Sequence, residues 1–325
     1  MKRTLLIFLC ILQICICRAQ STITFTPTWT PQAQFAGYYA AIEKGFFKSE
    51  GVNVRIKHLK VGSKKTPCDM LIDGECDIVC ISLLSAIQMR DKGLKLVNVL
   101  QTSQNTGLMC VSTHRLSDIK HLNGKTVGTW KTGYREIAEF AFKENNIDID
   151  WIPFLQGVNL FVAKAVDATL GYSYNEYIQL VMAKGNIPKS NCIYFSDIGY
   201  NFPEEGIYVT EDYYKKHYNE IVKFVRACKK GWNYCRSNPD DALKIVMKYT
   251  RMNNIATNPY HQRLMLKEVL RLQQDYSSAA AHKDDISTFA PVSKMTFGKA
   301  VKQMQKIGLI NDEIKYDDMI RIIKD

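Results

Sequence analysis

Residues 28–54 (TWTPQAQFAGYYAAIEKGFFKSEGVNV) constrain this chain most, reading in one pass as a strand end, an aromatic loop, an amphipathic helix and a turn. The preceding run, 21–26, alternates Ile23 and Phe25 with hydroxyl residues, the period-two pattern of a strand. Pro27 and Pro31 end it. The spacing then predicts a helix over about 35–48, with Ala36, Tyr39, Ala40 and Phe47 for its buried face, Gly45 near its end and Gly51 in the turn beyond. A strand opening into an aromatic loop before a helix N-terminus places rings and free N–H groups at the carboxyl edge of a sheet, where open α/β folds bind ligands. Trp29 and Tyr38 are candidates for that surface, and Gln34 lies in the same loop. Packing of the same aromatics into a core is the other reading.

Further units repeat the plan. The short apolar run 77–81 (DIVCI) predicts a buried parallel strand, followed by Ser82 as the N-cap of a helix over 83–92. Ser82 is thus a structural cap or a cap whose backbone also meets ligand. Residues 126–130 (TVGTW) predict a strand, then the loop Lys131, Thr132 and Gly133 before a helix from Tyr134. Gly133 permits close backbone approach, and a helix N-terminus favours an anion or carbonyl oxygen there. The loop lacks both the G-K-[ST] ending and the G-x-G-x-x-G fingerprint. Residues 166–170 (VDATL) predict another strand, whose carboxyl end carries Tyr172, Tyr174, Asn175 and Glu176 before a helix. Glu176 is placed either to pair with the helix dipole or to accept N–H bonds from an amino-azine ring under a stacked tyrosine.

The order W-T-P, a few polar residues, then A-G-Y-Y-A-A-x-E-K-G-F-F-K-x-E-G-V-x-V resembles the start of the thiamine-pyrimidine-precursor family. That family holds substrate-binding proteins of bacterial ABC importers and the fungal pyrimidine synthases related to them. The resemblance extends through 69–87, 122–139 and 166–177, most of the chain. It implies an α/β, two-lobed type II periplasmic-binding-protein fold with a helical C-terminal region, closing on ligand by hinge motion. It also implies that Tyr172, Tyr174 and Glu176 match the family's pyrimidine-contacting aromatic-x-x-glutamate.

At 325 residues two lobes are expected, with a sizeable core. Lys2 and Arg3 before the apolar run 5–16, and small residues ahead of Gln20, mark residues 1–19 as a secretory signal peptide. Ile14 and Ile16 precede Cys15 and Cys17, poor neighbours for lipid attachment, so an unanchored exported protein is expected. Losing Lys2, Arg3 and Arg18 lowers the formal charge from +11 to +8. The remaining basic residues are scattered and no nucleic-acid motif accompanies them, which argues against nucleic acid as partner. No later run is long enough to span a membrane. Of ten cysteines, seven remain after the leader, an odd number without metal-ligand spacing, and small buried apolar residues are the expected role.

The second lobe is expected over 113–205, with 20–112 and 206–325 forming the first. Helices are expected over 211–234, 239–249, 259–274, 293–307 and 316–323. The six histidines carry no nucleophile motif and are expected mostly at the surface. In the related synthases a histidine of the chain is consumed, and an iron motif is rich in cysteine; here the matching position is Gln34 and no C-C-C-F-C run exists. The expectation is a monomeric, non-enzymatic, extracytoplasmic protein, with neither cofactor nor metal, handing a small heteroaromatic nutrient to an ABC permease. A thiamine pyrimidine precursor is the expected ligand; riboflavin or an alkyl sulfonate, a pyrimidine synthase, and a sensor with the same fold are the alternatives.

Overall fold

The computed structural model describes residues 22–60, 62–131, 133–155, 157–275 and 287–323; the leader and Thr132 lie outside the described residues. The strands are β1 (Thr22–Thr26), β2 (Asn53–Ile56), β3 (Ile78–Ile81), β4 (Leu96–Gln101), β5 (Leu108–Ser112), β6 (Lys125–Trp130), β7 (Ile149–Phe154), β8 (Ala168–Tyr172), β9 (Cys192–Tyr194) and β10 (Gly206–Thr210). They form two five-stranded sheets, ordered β2-β1-β3-β10-β4 and β7-β6-β8-β5-β9. In each, parallel strands are flanked by antiparallel pairs: β10 runs against β3 and β4, and β5 against β8 and β9. The chain passes between sheets through 102–107 and returns through 195–205. The architecture is therefore α/β with two lobes, as expected. Strand β5 hydrogen-bonds within the second sheet, so the first passage comes before 108 and not after 112. Its unbroken apolar run is equally compatible with either sheet, and pairing alone assigns it.

The helices that matter for the site are α1 (Ala36–Glu43), α2 (Leu83–Asp91), α3 (Glu136–Glu144), α4 (Glu176–Lys184), α5 (Tyr218–Ser237), α6 (Pro239–Met252), α7 (Pro259–Leu272) and α8 (Lys294–Lys306). Two expected long helices are broken. The opening one stops at Lys44, Gly45 takes the left-handed φ of 70°, and a short turn over Phe46–Ser49 follows. The one expected over 211–234 divides at His217 into Glu211–Lys216 and α5.

Helix α1 is buried all round over its first six residues, Ala36, Gly37, Tyr38, Tyr39, Ala40 and Ala41. It packs on α5 so closely that a Cβ at Gly37 would lie 2.2 Å from the Trp232 ring, and one at Gly231 would lie 2.0 Å from the Gly37 carbonyl. Glycine at both positions is what lets the two backbones meet. Helix α8 adds Phe297, Ala300, Val301 and Met304 to a core shared by both lobes, which holds Leu83, Leu84 and Ile87 of α2 beside Ile137, Phe140 and Phe142 of α3. Lys306 pairs with Glu144 at 3.3 Å, and Lys299 donates to the Gly199 carbonyl. An apolar stripe on α8 fits either lobe, and the partner is set by the chain's path.

Cys68, Cys76, Cys80, Cys110, Cys228 and Cys235 are unpaired and buried, and Cys192 is half-buried. Among the described residues no helix is long and apolar enough to cross a membrane.

Candidate functional site

Between the two sheets lies a narrow cavity of about 20 Å³ that opens to the surface. One wall comes from the loop after β1, with Thr28, Trp29, Gln32 and Gln34; the other comes from Trp130 at the end of β6, Tyr134, and Tyr172, Tyr174, Asn175 and Glu176 after β8. Both sets sit at carboxyl ends of parallel strands, where backbone N–H groups and loops converge.

The walls are aromatic. Tyr172 and Tyr174 stack with centroids 5.1 Å apart, Trp130 lies 5.2 Å from Tyr172, and Trp29 meets Tyr134 edge-on at 5.4 Å. Tyr134 holds an unusual backbone, φ 64°, in a non-glycine residue directly after Gly133. That conformation costs free energy and aims the ring across the cleft. Its hydroxyl donates to the Thr28 carbonyl at 2.6 Å. Other bonds cross between the halves: Gln34 Nε2 donates to Tyr174 Oη at 3.2 Å, Ser85 Oγ on α2 donates to Glu136 Oε1 at 3.1 Å, and Ser173 Oγ donates to Glu268 on α7 at 2.7 Å.

His58 fixes the first wall. Its Nδ1 lies 2.7 Å from the Trp29 carbonyl and its Nε2 lies 2.9 Å from Tyr39 Oη. A carbonyl only accepts, so Nδ1 carries the proton and the Tyr39 hydroxyl donates to Nε2. Burial lowers its pKa to about 4, leaving the ring neutral. His261 is also buried, its Nε2 3.3 Å from the Asn175 carbonyl, and burial lowers its pKa. These two histidines depart from the expected surface placement, because each holds a loop carbonyl at the cleft.

Polar chemistry concentrates in carboxyls. Glu176, 3% exposed, opens α4 and folds back so that Oε2 accepts the Tyr172 N–H at 2.9 Å and Oε1 accepts Asn175 Nδ2 at 2.8 Å. A Cβ on Gly171 would lie 2.7 Å from Glu176 Cβ, so glycine there makes the fold-back feasible. Desolvation raises the Glu176 pKa to about 7, against those hydrogen bonds. Glu176 thus lines the cavity while its carboxyl holds its own loop. Behind it, Glu205 accepts from Gln34 Nε2 and, at 3.1 Å, from the Cys80 thiol. Gln34 Oε1 accepts from Gln32. Burial raises the pKa of Glu205, and raises that of Glu204 to about 8.

Of the residues predicted for the site, Trp29, Gln34, Tyr134, Tyr172, Tyr174 and Glu176 line this cavity. Tyr38 does not: it is fully buried against Phe25 at 4.7 Å and Trp232 at 5.5 Å, because its side of α1 faces α5. Ser82 caps α2, accepting the Ser85 N–H at 3.0 Å, and Gly133 is exposed; neither lines the cavity. Thr28, Gln32, Trp130 and Asn175 line it without having been singled out as binding residues. Trp130 had a usable signal, since it closes a predicted strand just before a predicted binding loop. Among the described residues no group of three or more His, Cys, Asp or Glu is placed to hold a metal ion.

Two α/β lobes with an aromatic cleft between them define a periplasmic-binding-protein fold. The aliphatic sulphonate binding protein SsuA from Escherichia coli superposes with a TM-score of 0.65 at 12% identity, covering 92% of each chain. The profile described as NMT1/THI5 like matches residues 32–242, more than half of the chain, and the protein belongs to that family. Among curated relatives, the riboflavin-binding protein RibY of Chloroflexus aurantiacus is 25% identical over 236 residues, 70% of this chain and 66% of its own. The formylaminopyrimidine-binding protein of Halalkalibacterium halodurans is 24% identical over 240 residues, 70% of this chain and 71% of its own. A 4-amino-5-hydroxymethyl-2-methylpyrimidine phosphate synthase of Saccharomyces cerevisiae is 22% identical over 265 residues, covering 74% and 75%.

Proposed function

We propose that this protein is the extracytoplasmic substrate-binding component of an ABC importer, closing two lobes on a pyrimidine precursor of thiamine. The lobes are the two sheets with their helices, hinged at the passages 102–107 and 195–205. The observation that carries the reading is the cavity itself, where stacked Tyr172 and Tyr174 stand beside the Glu176 carboxyl, facing Trp29 and Gln34 from the other sheet. Flat aromatic walls suit a planar ring, and carboxyl and amide groups at its rim suit ring nitrogens and amino groups. The formylaminopyrimidine-binding relative supports this choice of ligand. The leader read from the sequence supports export, and delivery to a permease follows from the importer role.

An enzymatic role has less support. Gln34, standing where the related synthases carry the consumed histidine, has both ends of its amide engaged with neighbouring side chains. The test is calorimetric titration with aminopyrimidines, riboflavin and alkyl sulfonates. Aminopyrimidine binding is expected to fall at least tenfold in Glu176→Ala. Binding of riboflavin or a sulfonate alone would refute the ligand, and turnover of pyridoxal phosphate would refute the non-enzymatic reading.

A further inference from the structure

A second, water-sized space of about 10 Å³ lies behind the first, and Gln34 and Tyr174 belong to both linings. The hydrogen bond between those two side chains is the partition. On the far side stand Glu204 and Glu205, from the passage that returns to the first sheet, and Trp232 of α5. Among the described residues no Lys, Arg or His lines either cavity, whereas Glu176, Glu204 and Glu205 do.

Two buried polar atoms in this lining lack a protein partner. Glu204 is 8% exposed and spends Oε2 on the Gly107 N–H at 3.0 Å, leaving Oε1 unpaired. The Thr106 and Tyr172 hydroxyls lie close enough to the Glu204 carboxyl to lower its pKa by hydrogen bonding, but neither meets Oε1 with hydrogen-bond geometry. Trp232, 1% exposed, has an unpaired indole Nε1–H. Buried polar atoms are almost always satisfied, so each unpaired one calls for a partner. Arg236, beside this wall, donates to Gln273 Oε1 at 2.7 Å and to the Trp232 carbonyl at 3.4 Å, with its buried Nε left unpaired.

We propose that this rear cavity is a second subsite of the same cleft, built for a positively charged nitrogen on the ligand. The inference rests on the binding-protein reading above and deepens it: the ligand is a planar ring carrying a basic arm. The ring occupies the aromatic front. The arm displaces the Gln34–Tyr174 contact and gives its N–H to Glu204, while an acceptor atom beside it meets Trp232. A cationic nitrogen also offsets the burial of three neighbouring carboxyls, which a sulfonate or phosphate would aggravate.

The test compares a pyrimidine bearing an aminomethyl arm with its hydroxymethyl isostere, by calorimetry on the purified protein near pH 7. The aminomethyl compound is expected to bind at least tenfold more tightly, and Glu204→Gln is expected to bring the ratio within about twofold. Equal or tighter binding of the hydroxymethyl compound to the unaltered protein overturns the subsite and leaves the pyrimidine reading standing. If neither pyrimidine binds, that reading fails. Benzylammonium against benzyl alcohol then decides the subsite by the same tenfold criterion. The comparison on the unaltered protein decides even where the variant does not fold.

Discussion

Replacing Tyr134 by Phe isolates one bond between the lobes. The hydroxyl donates to the Thr28 carbonyl at 2.6 Å and lies 3.3 Å from Thr28 Oγ1, while the ring meets Trp29 at 5.4 Å. Phenylalanine keeps the ring contact and removes only the donor. When the lobes separate, both groups face water, so the loss falls on the closed form alone. A net hydrogen bond contributes about 1 kcal/mol, which shifts the closing equilibrium about fivefold. Ligand affinity scales with the closed population, so Kd should rise about fivefold. Titration calorimetry reads the affinity, small-angle scattering reads the radius with and without ligand, and urea unfolding reads the stability of each lobe. Unchanged affinity accompanied by lowered unfolding stability would refute the latch and make Tyr134 an ordinary packing residue.

Two other predictions concern stability. Burial raises Glu204 from 4.5 to about 8 and Glu176 from 4.5 to about 7, so the folded protein holds protons that the unfolded chain has released. Their contribution is full at low pH and is lost as pH rises through the folded values. His58, lowered to about 4, acts oppositely below about pH 6.5. The clean window is therefore about pH 6.5 to 8, where urea stability should fall by about 2 kcal/mol, with a flatter slope in Glu176→Gln plus Glu204→Gln; a rise over that window would contradict the assigned burial. Gly37→Ala forces a Cβ to 2.2 Å from the Trp232 ring in the first lobe, and about 3 kcal/mol of destabilisation is expected from overpacking. An unaltered melting temperature would mean that α1 and α5 are not held so tightly.

Local pattern made the strand–loop–helix units and six cavity-lining residues legible, because each of these loops follows a strand and opens a helix, a relation contained within about fifteen residues of chain; the two-lobed arrangement came from the family resemblance. Trp29 and Gln34 follow β1, Tyr134 follows β6, and Tyr172, Tyr174 and Glu176 mark the end of β8. Pattern failed where burial had no periodicity. Helix α1 is buried all round over Ala36 to Ala41, so the spacing of Tyr38 and Tyr39 could not show that both rings pack into the core and neither reaches the cavity. It failed again where position depends on distant chain. Strand β5 carries an apolar run that either sheet would accept, helix α8 packs into a core shared by both lobes, and Glu204 and Glu205 enter the cleft only because the return passage runs beneath Gln34. The leader and Thr132 remain expectations from sequence, lying outside the described residues.

Gln34 shows how one side chain can join these local and distant parts. A neutral amide offers two N–H donors and a carbonyl acceptor at once. Here Nε2 reaches Glu205 of the return passage and Tyr174 of the opposite lobe, while Oε1 takes a bond from Gln32 of its own loop. The β1 loop, the hinge passage and the β8 loop therefore meet on a single group that neither gains nor loses a proton. A ligand arm entering the rear cavity must break the Tyr174 bond first, and regains that free energy only by supplying Glu204 with a donor. Closure and recognition are in this way coupled through the same amide, which makes the discrimination between a basic and a neutral arm a property of the closed cleft and not of either lobe alone.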